Sequence, residues 1–123
     1  MTVAERIDAY LQAWVAGDVS SLLAQFADSF FFDDPNVGKI AKADFEDYFA
    51  ALKLAVDESR AGKTFDNFMD LTEVVTKEED DGTVTVWCWW AIPGTPFEGT
   101  GLIKVAEAGV MSETICYYGK TVG

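Results

Sequence analysis

Apolar residues recur at helical spacing from the start of the chain: Val3, Ile7, Tyr10, Leu11 and Trp14 share one face. Thr2 and Glu5 have the spacing of a capping box, and Gly17 suits a helix stop, so the pattern predicts a first helix over residues 3–16. Asp18 is a good N-cap for a short second helix carrying Leu22, Leu23 and Phe26. Phe30 to Asp33 reads as a short aromatic strand, which Pro35, Asn36 and Gly38 break into a turn. Phe45, Tyr48, Phe49 and Leu52 line one face of a third helix, at about residues 43–54. After Gly62 the period becomes that of strands, expected at 65–77, 83–92, 97–105 and 110–118. Asp81-Gly82, the run Pro93 to Pro96, and Gly109 supply the turns between them. Helices first and strands after predict an α+β fold. Three N-terminal helices would pack on a curved, mainly antiparallel sheet, forming a cone with an internal cavity.

The strand at 83–92 is apolar on both faces. Val84, Val86, Cys88, Trp90 and Ile92 point one way, and Thr85, Trp87, Trp89 and Ala91 the other. A sheet with one face in water would alternate apolar and polar residues. The second face is therefore expected to meet a partner chain in a homodimer, unless the chain's own loops cover Trp87 and Trp89.

The 123 residues suit one domain, 1–123, able to bury roughly two thirds of the unfolded surface. Half of them are hydrophobic, so a packed core is expected rather than disorder. Nine basic residues against 21 acidic ones give a formal charge of −12. Such a chain repels phosphate backbones and anionic bilayers, so neither nucleic acid nor membrane is an expected partner. There is no histidine, which removes histidine-based triads and histidine–metal sites. No metal and no cofactor is expected. Cys88 and Cys116 both lie in apolar strand-like runs and are expected as free buried thiols. The start of the sequence lacks the basic and apolar segments of a signal peptide, and no apolar run reaches ~18 residues, so a cytoplasmic location is expected.

Candidate chemistry concentrates where Phe30-Phe31-Phe32 runs into Asp33-Asp34 and the Pro35 turn. A carboxyl group beside apolar walls is poorly solvated, which raises its pKa and suits it to general-base work near neutral pH. Alternation puts Phe30, Phe32 and Asp34 on one wall and leaves Asp33 on the other. Asp34 would serve equally as a cap of the turn. Trp14, Phe30, Phe32, Tyr48, Val86, Cys88, Trp90 and Tyr118 are the expected cavity lining, and as plain core they need no ligand.

The chain resembles the nuclear-transport-factor-2-like superfamily, in its SnoaL-like and ketosteroid-isomerase-like branch. The resemblance spans nearly the whole chain. It is carried by residues 10–18 (Tyr-Leu-Gln-Ala-Trp-Val-Ala-Gly-Asp), residues 23–28 (Leu-Ala-Gln-Phe-Ala-Asp) and residues 33–38 (Asp-Asp-Pro-Asn-Val-Gly). In ketosteroid isomerases the acid just before this proline is the general base. A tyrosine on helix one, eight residues before the Asp of Ala-Gly-Asp, donates to the developing enolate oxygen. The resemblance therefore implies catalytic roles for Asp34 and Tyr10. The isomerases place a second donor, a protonated acid, in the third strand of the meander, and here that position falls on Gly101.

Two functions follow from these expectations. One is a cofactor-independent isomerase, cyclase or dehydratase using Asp34 on a small apolar or polycyclic molecule. The other is a non-catalytic cone of the same fold that binds a ligand or only dimerises.

Overall fold

The computed structural model of the chain describes residues 1–118. Helix α1 covers Val3–Ala16 and α2 covers Val19–Gln25. They are followed by β1 (Phe26–Asp34), β2 (Gly38–Ala41), a single 3-10 turn (Lys42–Asp44) and α3 (Phe45–Arg60). Strands β3 (Asp70–Glu78), β4 (Val84–Ala91), β5 (Glu98–Ala106) and β6 (Gly109–Tyr117) complete the order. The six strands form one curved, unclosed sheet in the order β2-β1-β6-β5-β4-β3. All pairs are antiparallel except β1 with β6. The α+β fold, the three helices and the four-stranded meander match the expectation.

Helix α1 begins and ends where its residues predict. The Thr2 hydroxyl accepts from the Glu5 N–H, and the Glu5 carboxylate accepts from the Thr2 N–H. Gly17 closes it at φ 69°, and a Cβ there would sit 2.7 Å from the Cβ of Phe68, so both the backbone and the packing demand glycine. The buried face carries Tyr10, Leu11, Ala13 and Trp14 onto the sheet. Phe45, fully buried, is the hub of the core. Its ring lies within 6.2 Å of those of Trp14, Phe26, Phe30, Phe32, Tyr48 and Phe49. Such pairs add about 0.5–1.5 kcal/mol each beyond the area they bury.

Several elements depart from the expected boundaries. Strand β1 starts at Phe26, immediately after α2, where a strand was expected only from Phe30. Strand β2 occupies residues read as a turn. It is four residues long, and it pairs Ile40 with Phe32 at the sheet edge. Helix α3 runs on to Arg60, beyond the expected end near Leu54. Residues 65–69 are not strand. The Phe68 N–H donates to the Val15 carbonyl, and the Arg60 guanidinium donates to the carbonyls of Asn67 and Phe68, which ties this segment under the end of α1. Cys88 is buried as expected, but Cys116 is exposed, because β6 turns it to the outer face. Among the described residues no helix is long and apolar enough to cross a membrane.

Candidate active site

A carboxyl group lies between α1 and the middle of the sheet. Along β6, Glu113 and Ile115 are buried while Thr114 and Cys116 face outward. Glu113 is only 4 % exposed, and the Tyr10 hydroxyl donates to its Oε1 at 2.5 Å across 103 positions of sequence. Space for this carboxyl comes from β5, where a Cβ at Gly101 would stand 2.5 Å from Glu113 Oε2. A side chain at position 101 and the Glu113 carboxyl would therefore compete for the same volume.

Burial pushes the Glu113 carboxyl up to about 7, against the opposing pull of the Tyr10 hydroxyl and the Trp14 indole. Trp14 Nε1 exerts that pull without reaching hydrogen-bond geometry, and it has no protein partner. Burial and the charge of Glu113 hold the Tyr10 phenol well above its ordinary range. Burial, with Glu113 beside it, pushes the Cys88 thiol up to about 12, so that sulfur is no thiolate at neutral pH.

A second acid terminates β1. Asp34 is 2 % exposed, on the same buried face as Phe30 and Phe32. Its Oδ2 accepts from the Tyr48 hydroxyl at 2.7 Å and the Tyr117 hydroxyl at 2.9 Å, and its Oδ1 accepts from the Asn36 N–H at 2.9 Å. Three donors thus replace the water that burial removes. The Asn36 bond is the turn cap, so the two roles open to Asp34 coexist in one side chain. Burial, then the hydrogen bond to Asp34, drive the phenols of Tyr48 and Tyr117 far above the ordinary range.

Between the two acids lies a narrow apolar cavity. Glu113, Tyr48 and Tyr117 line it together with Trp14, Phe32 and Trp90, and Leu52, Met69, Ile92, Phe97 and Ile115 close the walls. It leaves about 20 Å³ for the centre of a water molecule, room for one or two waters. A larger guest needs the lining side chains to move apart. Among the described residues no three His, Cys, Asp or Glu side chains converge on a possible metal position.

No protein-family model matches the chain, and no curated protein matches it. Solved structures do. A structure named as a putative polyketide cyclase from Xanthomonas campestris pv. campestris aligns over 94 % of this chain and 90 % of its own, at 17 % identity and TM-score 0.64. An NTF-2 like protein of unknown function from Burkholderia xenovorans LB400 aligns over 98 % and 86 %, at 18 % identity and TM-score 0.65. A structure named as a putative ketosteroid isomerase from Kribbella flavida DSM 17836 aligns over 98 % and 81 %, at 11 % identity and TM-score 0.59. The chain has the nuclear-transport-factor-2-like fold.

Within this NTF2-like fold, four of the residues expected in the cavity wall line it: Trp14, Phe32, Tyr48 and Trp90. Phe30, Val86 and Cys88 are buried beside it as core. Tyr118 is a correction: it is 46 % exposed, and its neighbour Tyr117 is the residue that turns inward. Asp34 and Tyr10 do not share one open chamber. Tyr48 and Tyr117 stand between Asp34 and the cavity, and Tyr10 reaches it through Glu113. Glu113 is the residue sequence reasoning missed. Its signal was an acid in the alternation Glu113, Ile115, Tyr117, opposite a strand that carries glycine at position 101.

The pH dependence of stability follows from Glu113. Its folded-state pKa of about 7 lies above the 4.5 of a free glutamate, so the folded chain holds a proton that the unfolded chain releases between those values. This group's contribution is fully present below pH 4.5 and is lost as pH rises to about 7, a change of about 3 kcal/mol. Glu113→Gln keeps an acceptor for Tyr10 and cannot ionise. Relative to wild type it should gain about 2–3 kcal/mol between pH 5 and pH 8 in urea unfolding. An unchanged difference across that range would show that Glu113 ionises normally in the folded chain.

Proposed function

We propose that the chain binds a small, largely apolar molecule in the cavity between helices and sheet and moves a proton on it without a cofactor, as an isomerase, cyclase or dehydratase does. The observation that carries this is Glu113. It is a buried carboxyl on the cavity wall with a pKa of about 7, so at neutral pH both its forms are populated and it can take up and return a proton. The names of the Xanthomonas and Kribbella structures support chemistry of this class. In the proposed step the Glu113 carboxylate takes a proton from the carbon next to a carbonyl. The C–H electron pair forms a carbon–carbon double bond as the carbonyl π pair moves to oxygen. Where a further double bond is conjugated with this enolate, collapse of the oxygen pair lets the same carboxyl return the proton to the far carbon of that bond. Atoms and charge balance with no further reactant. Tyr10 positions the carboxyl through its hydrogen bond.

Asp34 as the base is the second assignment. It is favoured by the two tyrosines that bridge Asp34 to the cavity, which would relay the proton. Proton–deuterium exchange at the carbon next to the carbonyl of small cyclic ketones in D₂O distinguishes the assignments. Wild type should accelerate exchange, Glu113→Gln should lower the rate about 10²–10⁴-fold, and Asp34→Asn should lower it less. The reverse order would place the base at Asp34. No acceleration by wild type would leave a binding module without catalysis.

The outer sheet face supports a homodimer. Trp87 and Trp89 stack there at 6.0 Å, and Trp87 lies between Val75 of β3 and Leu102 of β5. Trp87 is 49 % and Val75 53 % exposed in the single chain. Each copy carries a formal charge of −12, so association should tighten as salt screens the repulsion. Sedimentation at tens of micromolar should give a dimer that Trp87→Lys converts to a folded monomer. A wild-type monomer in both low and high salt would end this proposal.

A further inference from the structure

The cavity wall holds two hydrogen-bond donors with nothing in the protein to receive them. Trp14 Nε1 and Trp90 Nε1 are buried and have no protein acceptor, and both residues line the same cavity as Glu113. Each side chain belongs to a residue only 4 % exposed. A buried N–H without a partner costs about 1–3 kcal/mol, so two in one wall mark a place where an acceptor is expected. Neither indole is free to turn away. Trp14 is packed between Phe32, Phe45 and Phe49, and Trp90 stands edge-on to Tyr117 over Gly99, whose missing side chain admits the indole. The other polar groups of the wall have protein partners: the hydroxyls of Tyr48 and Tyr117 both donate to Asp34, and the Glu113 carboxyl accepts from Tyr10.

We propose that the indole N–H groups of Trp14 and Trp90 are the specificity determinants of this cavity, receiving acceptor oxygens of an otherwise apolar ligand and selecting carbonyl compounds over hydrocarbons of the same shape. The assignment rests on the cavity being a binding site, as proposed above. It goes beyond that reading by fixing which atoms of the protein read the ligand. Trp14 Nε1 lies beside the Tyr10–Glu113 pair, so an oxygen held there stands next to the carboxyl that would exchange protons with the adjoining carbon.

Acetophenone and ethylbenzene make a matched pair of probes, differing in a carbonyl against a methylene. Binding is followed through the indole N–H signals in ¹⁵N NMR. The four tryptophans give four signals, of which those of Trp87 and Trp89 belong to the outer face. Acetophenone should bind about tenfold or more tightly than ethylbenzene and move at least one of the two buried indole signals downfield, as a hydrogen-bonded proton does. Trp14→Phe and Trp90→Phe keep a ring and remove the N–H. Each should lower the preference for acetophenone over ethylbenzene about three- to tenfold. The wild-type comparison stands without the variants should either fail to fold. Equal binding of the two probes with both buried signals unmoved would overturn the indole assignment and leave the cavity as a binding site. Failure of both probes to bind at millimolar concentration would overturn the indole assignment and the binding site together.

Discussion

The hydrogen bond between Tyr10 and Glu113 joins the first helix to the last strand through the centre of the fold, and the architecture around it is arranged to tolerate a buried acid. Removing a carboxylate from water costs far more than one hydrogen bond returns, so the group stays protonated to a higher pH instead. Glycine at position 101 leaves the volume the carboxyl occupies. Trp14 and Phe32 wall the cavity beside it, and Phe45 fixes both of their rings. The result is a buried carboxyl with a raised pKa next to an apolar space, in a chain that contains no histidine.

The second acid solves the same problem differently. Asp34 keeps its oxygens satisfied by two phenols and a backbone amide, and the tyrosines that serve it are themselves part of the cavity wall. One end of the cavity thus has its donors and acceptors matched. Elsewhere the wall presents Glu113 and the indole N–H groups of Trp14 and Trp90, which have no protein acceptors.

Much of this was legible in the sequence, for identifiable reasons. The capping box and Gly17 set helix α1 because both act locally through backbone hydrogen bonds. Alternation along β4 placed Val86, Cys88 and Trp90 inside because the period of a strand is two and the sheet has a covered face. Tyr117 was missed for Tyr118 because strand alternation turns on a single residue, and the irregular pairing between β5 and β6 near Lys104 shifts the phase. Strand β2 was missed because its four residues follow a proline turn and gain their order only from pairing with β1. Glu113 was hidden by distance: its partner lies 103 positions away, and its room comes from a glycine on another strand. The resemblance put the isomerases' second acid at a position that is glycine here, Gly101. The carboxyl that fills this place comes instead from the neighbouring strand.

The protonation of this one side chain can be read directly. A carbon-13 NMR titration of the Glu113 side-chain carboxyl, assigned by its loss in Glu113→Gln, should show a midpoint near 7. A midpoint near the 4.5 of a free glutamate would mean that Glu113 is a charged structural acid, and would contradict the proposal that this cavity holds a proton carrier.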